Sequence, residues 1–385
     1  MMMSLQAIAS GDSGNSPIQF SDGPRTQESL EKRLANWGRV SVGKGNSVLQ
    51  EFWLLGRYHG QHYWSEGDRG SSSDWENRRY RMGAQATLYE KWTLHAQMVS
   101  GSDFEPFYNG FTELWSQWRF SEQVALTIGQ QKHRFTHDRN VSSRYINTLE
   151  RGQLLNMFGA DYTPAVTLQG TIGKLSYYSG IFSNATGRNM WDAFTELDSG
   201  YSLLANSYYD VNRYLATDSA FVGMSYVFSD ANAKATNLNV FQQGISNVLV
   251  LTKGPGSLIV ESVLGLDSER GDAYGINVQM GYFLTDRLQI ATRYQIATSD
   301  QSDGLLAQLR YERPTGIERG EQYHAEYVGL NYHFAGHRLK WMNGVEYSEL
   351  DRDSVWTFST AIRLFWGPHS GGPFPMAQLL PGRFE

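Results

Sequence analysis

The stretch VALTIGQQKH (124–133), followed by RFTHDRNVSSRYINTLERGQLLNMFGADYTP (134–164), AVTLQGTIG (165–173) and KLSYYSGIFSNA (174–185), decides how the chain is read. Val124, Leu126 and Ile128 alternate with Ala125, Thr127 and Gly129, a polar Arg-rich segment follows, and alternation resumes at Val166. That pattern is strand, large inserted loop, then a strand-turn-strand hairpin. A loop of about thirty residues without apolar period is uncommon in a compact domain and usually functional. The expectation is that it folds into the mouth of a membrane barrel and narrows it.

Working outward, the period of two persists on both sides. Phe52, Leu54 and Tyr58 oppose Glu51, Arg57, His59 and Gln61; Tyr80, Met82, Ala84, Ala86 and Leu88 oppose Arg79, Arg81, Gln85 and Thr87. Later, Ile276, Val278, Met280 and Tyr282 oppose Asn277, Gln279 and Gly281, and Trp356, Phe358, Ile362 and Leu364 oppose Ser359 and Arg363. Each strand therefore has one apolar and one polar face. Many run ten or more residues with aromatics near their ends, such as Tyr58 and Tyr63 or Trp356 and Trp366. Tilted strands of that length cross a bilayer, and because lipid leaves no backbone group unpaired they must close into a barrel. Weaker alternation at 201–211 and 245–253 brings the count to about sixteen strands, an even number as single-chain bacterial barrels require. Tight turns at Gly173-Lys174, Thr285-Asp286 and Ala335-Gly336 contrast with long polar loops expected at 64–76, 133–164, 185–200 and 298–322, the two-rimmed arrangement of outer-membrane barrels. A soluble sandwich is the competing fold, with the apolar rows meeting in a dry centre.

Composition narrows the class further. The 385 residues include 22 Tyr, 11 Trp and 19 Phe, no Cys, and a net charge of −6. No apolar run approaches a spanning helix, and mean hydropathy is −0.45. The charge balance gives no reason to expect a nucleic-acid partner. Absent cysteine fits export through an oxidising periplasm. Ala7-Ile8-Ala9 resembles a signal cleavage site without a basic n-region before it, so the start is expected to lie inside a signal peptide. The expected organisation is an N-terminal segment over 1–46 with one short helix around ESLEKRLANW, a barrel over 47–366 and a tail over 367–385.

Inward parity assigns Arg57, Arg79, Arg81 and Arg293 to a wet lumen, where guanidinium groups lower the energy of a passing anion. Their competing role is to brace the wall by pairing with Glu51, Glu113, Glu261 or Glu346. Arg78 has the opposite parity and is expected at a rim. In the inserted loop, Lys132, Arg134, Arg139, Arg144 and Arg151 face Asp138, Glu150 and Asp161, and a merely solvated loop is the alternative. Motifs for serine, zinc or phosphate-loop enzymes are missing, and DSERGD (267–272) lacks the spacing of a calcium loop. No catalytic residue, metal ligand or cofactor is therefore assigned.

The runs LQEFWLLGRYHGQHYW, WENRRYRMGAQATLYEKWTLHAQM, DFEPFYNGFTELW, LTIGQQKHRFT, INTLERGQLLNMF, KLSYYSGIFSN, LTDRLQIATRYQIATSD and WTFSTAIRLFW, in this order between residues 48 and 366, resemble the phosphate-selective porin O and P family. The resemblance implies a sixteen-stranded porin in the outer membrane of a Gram-negative bacterium, a homotrimer with an inward-folded loop, passing small inorganic anions such as phosphate. It places Arg78, Arg79 and Arg81 at the family's arginine cluster on the second strand. Arg139 with Ser142 and Ser143 resembles the basic-x-x-Ser-Ser element of its inward loop, with Arg where the phosphate channels carry Lys. Arg310, Arg313 and Arg319 fall where later basic loop residues are expected. A general diffusion porin is the alternative within transport, and a non-conducting barrel with an enzymatic or adhesive rim the alternative outside it. The chain runs 19 residues past Trp366, whereas barrels commonly end on an aromatic, so the assembly signal is expected to be internal.

Overall fold

The structure, a computed structural model, describes residues 30–43, 47–157, 161–187, 189–231 and 241–368. The proposed signal segment and most of the C-terminal tail lie outside them. Sixteen antiparallel strands form the wall: β1 (Leu49–Gly67), β2 (Gly70–Leu88), β3 (Trp92–Val99), β4 (Phe111–Arg119), β5 (Ala125–Lys132), β6 (Tyr162–Ile172), β7 (Leu175–Ser183) and β8 (Gly200–Asp210) make the first half. The second half is β9 (Ser219–Ala231), β10 (Gln243–Lys253), β11 (Gly256–Leu266), β12 (Ala273–Phe283), β13 (Leu288–Ser299), β14 (Gln322–Ala335), β15 (Leu339–Leu350) and β16 (Asp353–Trp366). Each strand pairs with the next, and β16 pairs with β1 from Val355 opposite Gly67 to Trp366 opposite Gly56, which closes the barrel and leaves no edge.

Alternation is the organising rule of the wall. Along β14 every second residue is buried: Tyr323, Ala325, Tyr327, Asn331 and His333 point inward while Val328, Leu330 and Phe334 are exposed. Leu54, Ile128, Leu168, Ile276, Trp341 and Ile362 are exposed on other strands. The apolar rows thus form an outer belt, where Trp64 stacks on Phe358 and Tyr347 meets Trp356. A belt of this kind suits lipid contact with aromatics at the interfaces.

Three local readings of the sequence are corrected. Residues 64–76 are not a long loop: β1 and β2 run on to a two-residue turn at Asp68-Arg69, fastened by Ser354 N–H donating to the Asp68 carboxylate at 2.7 Å. Beyond the lipid both faces meet water, so the polar-apolar alternation ends while the backbone ladder continues. Tyr63 faces the lumen and meets Tyr311 at 5.1 Å, leaving the outer belt to Trp64. The N-terminal stretch carries, besides the helix α1 (Leu30–Asn36), a short strand Arg39–Val42 paired with β1, and Trp37 packs on Trp366 at 4.9 Å.

The loop after β5 does fold inward over its described residues, 133–157 and 161. It contains two short helices, α2 (His137–Asn140) and α3 (Gln153–Met157). Its Phe135, Val141, Tyr145, Ile146 and Leu155 join one apolar cluster with Tyr178, Phe182, Leu204, Tyr208, Val248 and Val263 from the wall. A second loop, 300–321, also enters: Leu305, Ala307 and Ile317 are buried in the same cluster. Wall residues of β7–β16 join this packing, and the open cavity lies against β1–β6. Burial of loop apolar side chains drives this, at about 1.5–3 kcal/mol for each large residue.

Phe135 is fully enclosed between loop and wall, and Phe135→Ala is expected to cost about 3–5 kcal/mol. The check is thermal unfolding of the purified barrel in detergent together with protease sensitivity of the 133–161 loop, which should be cut faster than in the unaltered protein.

Candidate functional site

Wall parity brings the first cations together. Arg57 on β1 lies directly opposite Arg81 on β2, and His59 opposite Arg79. Like charges so placed destabilise a sheet, so the arrangement needs a compensating role. One residue later the register shifts: Gly60 pairs with Asn77, and Arg78 is left without a strand partner. This β-bulge turns Arg78 and its neighbour Arg79 both toward the inward loop. Strict alternation would send Arg78 outward to a rim; the extra residue overrides it.

The loop meets these groups with specific acceptors. Arg78 binds the Glu150 carboxylate through Nε and through Nη2, the latter at 3.1 Å, and Arg79 approaches the same carboxylate at 3.7 Å. Arg57 donates to Ser143 Oγ at 2.9 Å. Arg81 donates to Tyr162 Oη at 2.6 Å, its guanidinium 4.9 Å from the centre of that ring. Lys132 reaches the Val141 carbonyl at 3.4 Å, and Arg139 sits 3.6 Å from Asp161. Ser142 Oγ accepts from the Arg144 backbone N–H at 3.5 Å, a local turn contact. Thr136 caps α2 by accepting from Arg139 N at 3.3 Å, and the two amides of His137 and Asp138 donate to Glu261 on β11 at 2.6 and 3.2 Å.

Between loop and wall lies a cavity of about 420 Å³. Nine arginines (57, 78, 79, 81, 119, 134, 139, 144 and 151) and Lys132 line it, against the carboxylates of Glu113 and Asp161. Ser142, Ser143, Tyr162 and Tyr178 add hydroxyl groups, and Gln85, Gln117, Gln131 and Gln169 add amides. The donor set is that of an anion site: planar guanidinium forks that bond oxygens pairwise, with neutral O–H and N–H groups between them. Among the described residues no group of three His, Asp or Glu side chains converges as metal ligands.

Residues 56–200 match the family model of phosphate-selective porins O and P. The matched span holds β2 with its arginines and the whole inward loop, whereas the similar runs beyond residue 200 lie outside it. Among solved structures the fold is similar to OprB of Pseudomonas putida at high pH, with 10% identity, 82% of this chain and 94% of that one covered, and a TM-score of 0.61. It is also similar to an anion-selective porin from Comamonas acidovorans (10% identity, 82% and 99% covered, TM-score 0.57). A third is OmpT of Vibrio cholerae (14% identity, 85% and 100% covered, TM-score 0.56). No curated protein matches the sequence. At such identities the likeness concerns the fold. With the family match, it places the chain in the outer membrane of a Gram-negative bacterium.

Of the residues singled out from the sequence, Arg57, Arg78, Arg79, Arg81, Lys132, Arg139, Ser142 and Ser143 all line the one cavity. Arg293 does not. It pairs with Glu346 on β15 and donates to the Glu150 carbonyl at 2.6 Å, so it braces wall to loop. Arg310 is likewise held in an ion pair with Glu76 at 3.0 Å. Glu113, named from the sequence as a possible partner of the wall arginines, lines the cavity, as do Tyr162, His95 and Trp115, which were not singled out, with His95 stacked on Trp115 at 4.8 Å. No signal in the sequence marks Tyr162, since an aromatic at a strand end is the commonest member of an interface belt; only its pairing opposite Lys132 reveals the lumen.

Burial alone would raise the Glu150 carboxyl, but Arg78 and Arg79 overcome it and hold the group well below the usual carboxylate range. A depressed carboxyl contributes stability that is present above its unfolded value of about 4.3 and is lost only as pH falls through the depressed folded value. The loop is therefore expected to stay docked, with unchanged single-channel conductance, from neutral pH down through about 4. Glu150→Gln should abolish that tolerance by leaving Arg78 and Arg79 without their counter-charge, seen as noisier or larger conductance at every pH.

Proposed function

We propose that the protein is a passive outer-membrane channel for small inorganic anions, phosphate or a related oxyanion foremost. The observation that carries this is the cavity in which ten cationic side chains face two carboxylates at the narrowed part of the lumen. In a confined path of low dielectric, fixed cations draw anions in and raise the energy of cations. Neutral donors at Ser143 and Tyr162 sit beside Arg57 and Arg81 and give an anion intermediate contacts that do not trap it. A tetrahedral oxyanion presents the paired oxygens that guanidinium forks match.

The match to phosphate-selective porins supports the same ligand class, as does the likeness to a barrel described as an anion-selective porin. A trimer form is described for one similarly folded barrel, OmpT of Vibrio cholerae, and a homotrimer is part of this proposal. The family match supports a passive channel in place of a catalyst. Against a strong phosphate preference stands Arg139, which by resemblance to the family's basic-x-x-Ser-Ser element replaces a Lys and which lies 3.6 Å from Asp161.

Planar-bilayer recording of the purified protein under a salt gradient tests the proposal. A reversal potential of anion preference is expected, and micromolar phosphate should block chloride current. Replacing Arg79 and Arg81 together by Ala should reduce the anion-to-cation permeability ratio severalfold and weaken the phosphate block. A cation-preferring reversal potential overturns anion passage; anion preference without phosphate block leaves a general anion pore.

A further inference from the structure

Four neighbouring strands carry basic residues in one directly opposed inward row: Lys340 on β15 faces Arg363 on β16, Arg363 faces His59 on β1, and His59 faces Arg79 on β2. All four are buried. Only Arg79 of the four lines the cavity described above; Lys340 and Arg363 bond the loop at Ile146 and Leu149, and His59 lies in register between Arg363 and Arg79. Opposed like charges weaken a sheet, and buried cations are costly without acceptors.

The loop satisfies part of the row. The Ile146 carbonyl accepts from Lys340 Nζ at 2.7 Å, the Leu149 carbonyl accepts from Arg363 Nη2, and Glu150 lies 3.7 Å from Arg79. Several polar atoms stay without a hydrogen-bond partner: both ring nitrogens of His59, Nε and Nη1 of Arg363, and Nη1 of Arg79. Glu150, which forms the row's ion pair, is already shared with Arg78. A central imidazole bonded at neither nitrogen, flanked in register by two guanidinium groups with idle N–H donors, is a set of donors without its acceptor.

We propose that this row holds a resident small monovalent anion of halide type, lodged between the wall and the back of the inward loop. The idle nitrogens belong to three side chains in register, and loop carbonyls already serve Lys340 and Arg363, so one small acceptor completes the set, which favours a halide over a tetrahedral oxyanion. Such an ion supplies the acceptor that Arg363, His59 and Arg79 lack, and fastens the loop to the β15–β2 wall. It is a bound ion and not a stop on the permeation route, so it stands whether or not the channel prefers anions.

Crystals of the full chain grown with bromide in place of chloride, measured at the bromine absorption edge, test this. The expected result is an anomalous peak in contact with the His59 ring and the Arg363 guanidinium, separate from any peak in the cavity beside Arg57 and Arg81. In His59→Phe, which keeps the ring and removes its nitrogens, the peak at the row should be lost while cavity peaks persist. Absence of a peak at His59 in the unaltered protein overturns the proposal and leaves the row as a clasp for the loop alone. A peak that survives both His59→Phe and Arg363→Gln also overturns it, as an adventitious halide only. Should His59→Phe fail to assemble, the map of the unaltered protein decides alone.

Discussion

The constraint on which the structure depends is that a loop driven into a barrel must find partners for its own backbone. At a rim, water serves the carbonyls of a loop; inside the wall they must be served by protein. Here the wall supplies cations. Lys340 takes the Ile146 carbonyl, Arg363 the Leu149 carbonyl, Arg293 the Glu150 carbonyl and Lys132 the Val141 carbonyl, while Arg151 within the loop takes those of Asp138 and Val141. The apolar cluster around Phe135 and Leu155 makes the inward position favourable, and these charge-assisted bonds make it specific. Together they choose which side of the lumen stays open.

The same chemistry then divides into two tasks. Arg293 and Arg310 have their charge answered by Glu346 and Glu76, and they hold loops. Arg57, Arg81 and Lys132 bond neutral oxygens of Ser143, Tyr162 and Val141, so their positive charge is not cancelled where they line the cavity. A guanidinium whose hydrogen bonds are met but whose charge is not is stably placed and still attracts an anion. Arg78 and Arg79 stand at the boundary, docked on Glu150 on one side and facing the cavity on the other.

The barrel was legible in the sequence wherever one face meets lipid and the other meets water, as in β12 and β14, because those two solvents impose opposite residue types at period two. It was faint in β8 and β10, and the reason is physical. Leu204 and Tyr208, and likewise Val248 and Val250, turn inward to receive the loop, so apolar residues occupy both faces and the period is lost. The inward course of 133–161 could be read from its length and charge. That of 300–321 could not, although Leu305 and Ile317 now show that its apolar residues were the hint. Arg78 was misplaced because a single extra residue at a bulge reverses parity and leaves no mark in composition. The split between Arg57 and Arg293 was equally hidden: both have inward parity, and only the distance to a carboxylate separates a lining cation from a brace.

Net charge is the remaining tension, because a chain of −6 is an odd setting for an anion route. The sum over the chain is a poor guide to the field at a constriction. Acidic groups such as Asp267, Glu269, Asp300, Asp303, Glu318 and Glu321 sit outside the strands in the loops at one rim, where water and salt screen them within about 10 Å. The cations around the cavity are enclosed by wall and loop, where screening is weak and their effects reinforce one another. An ion crossing the barrel spends little free energy passing a screened acidic rim and meets its main electrostatic interaction at the narrowed level. The local excess of cations over carboxylates around the cavity, and not the balance over 385 residues, is what decides which ions that level favours.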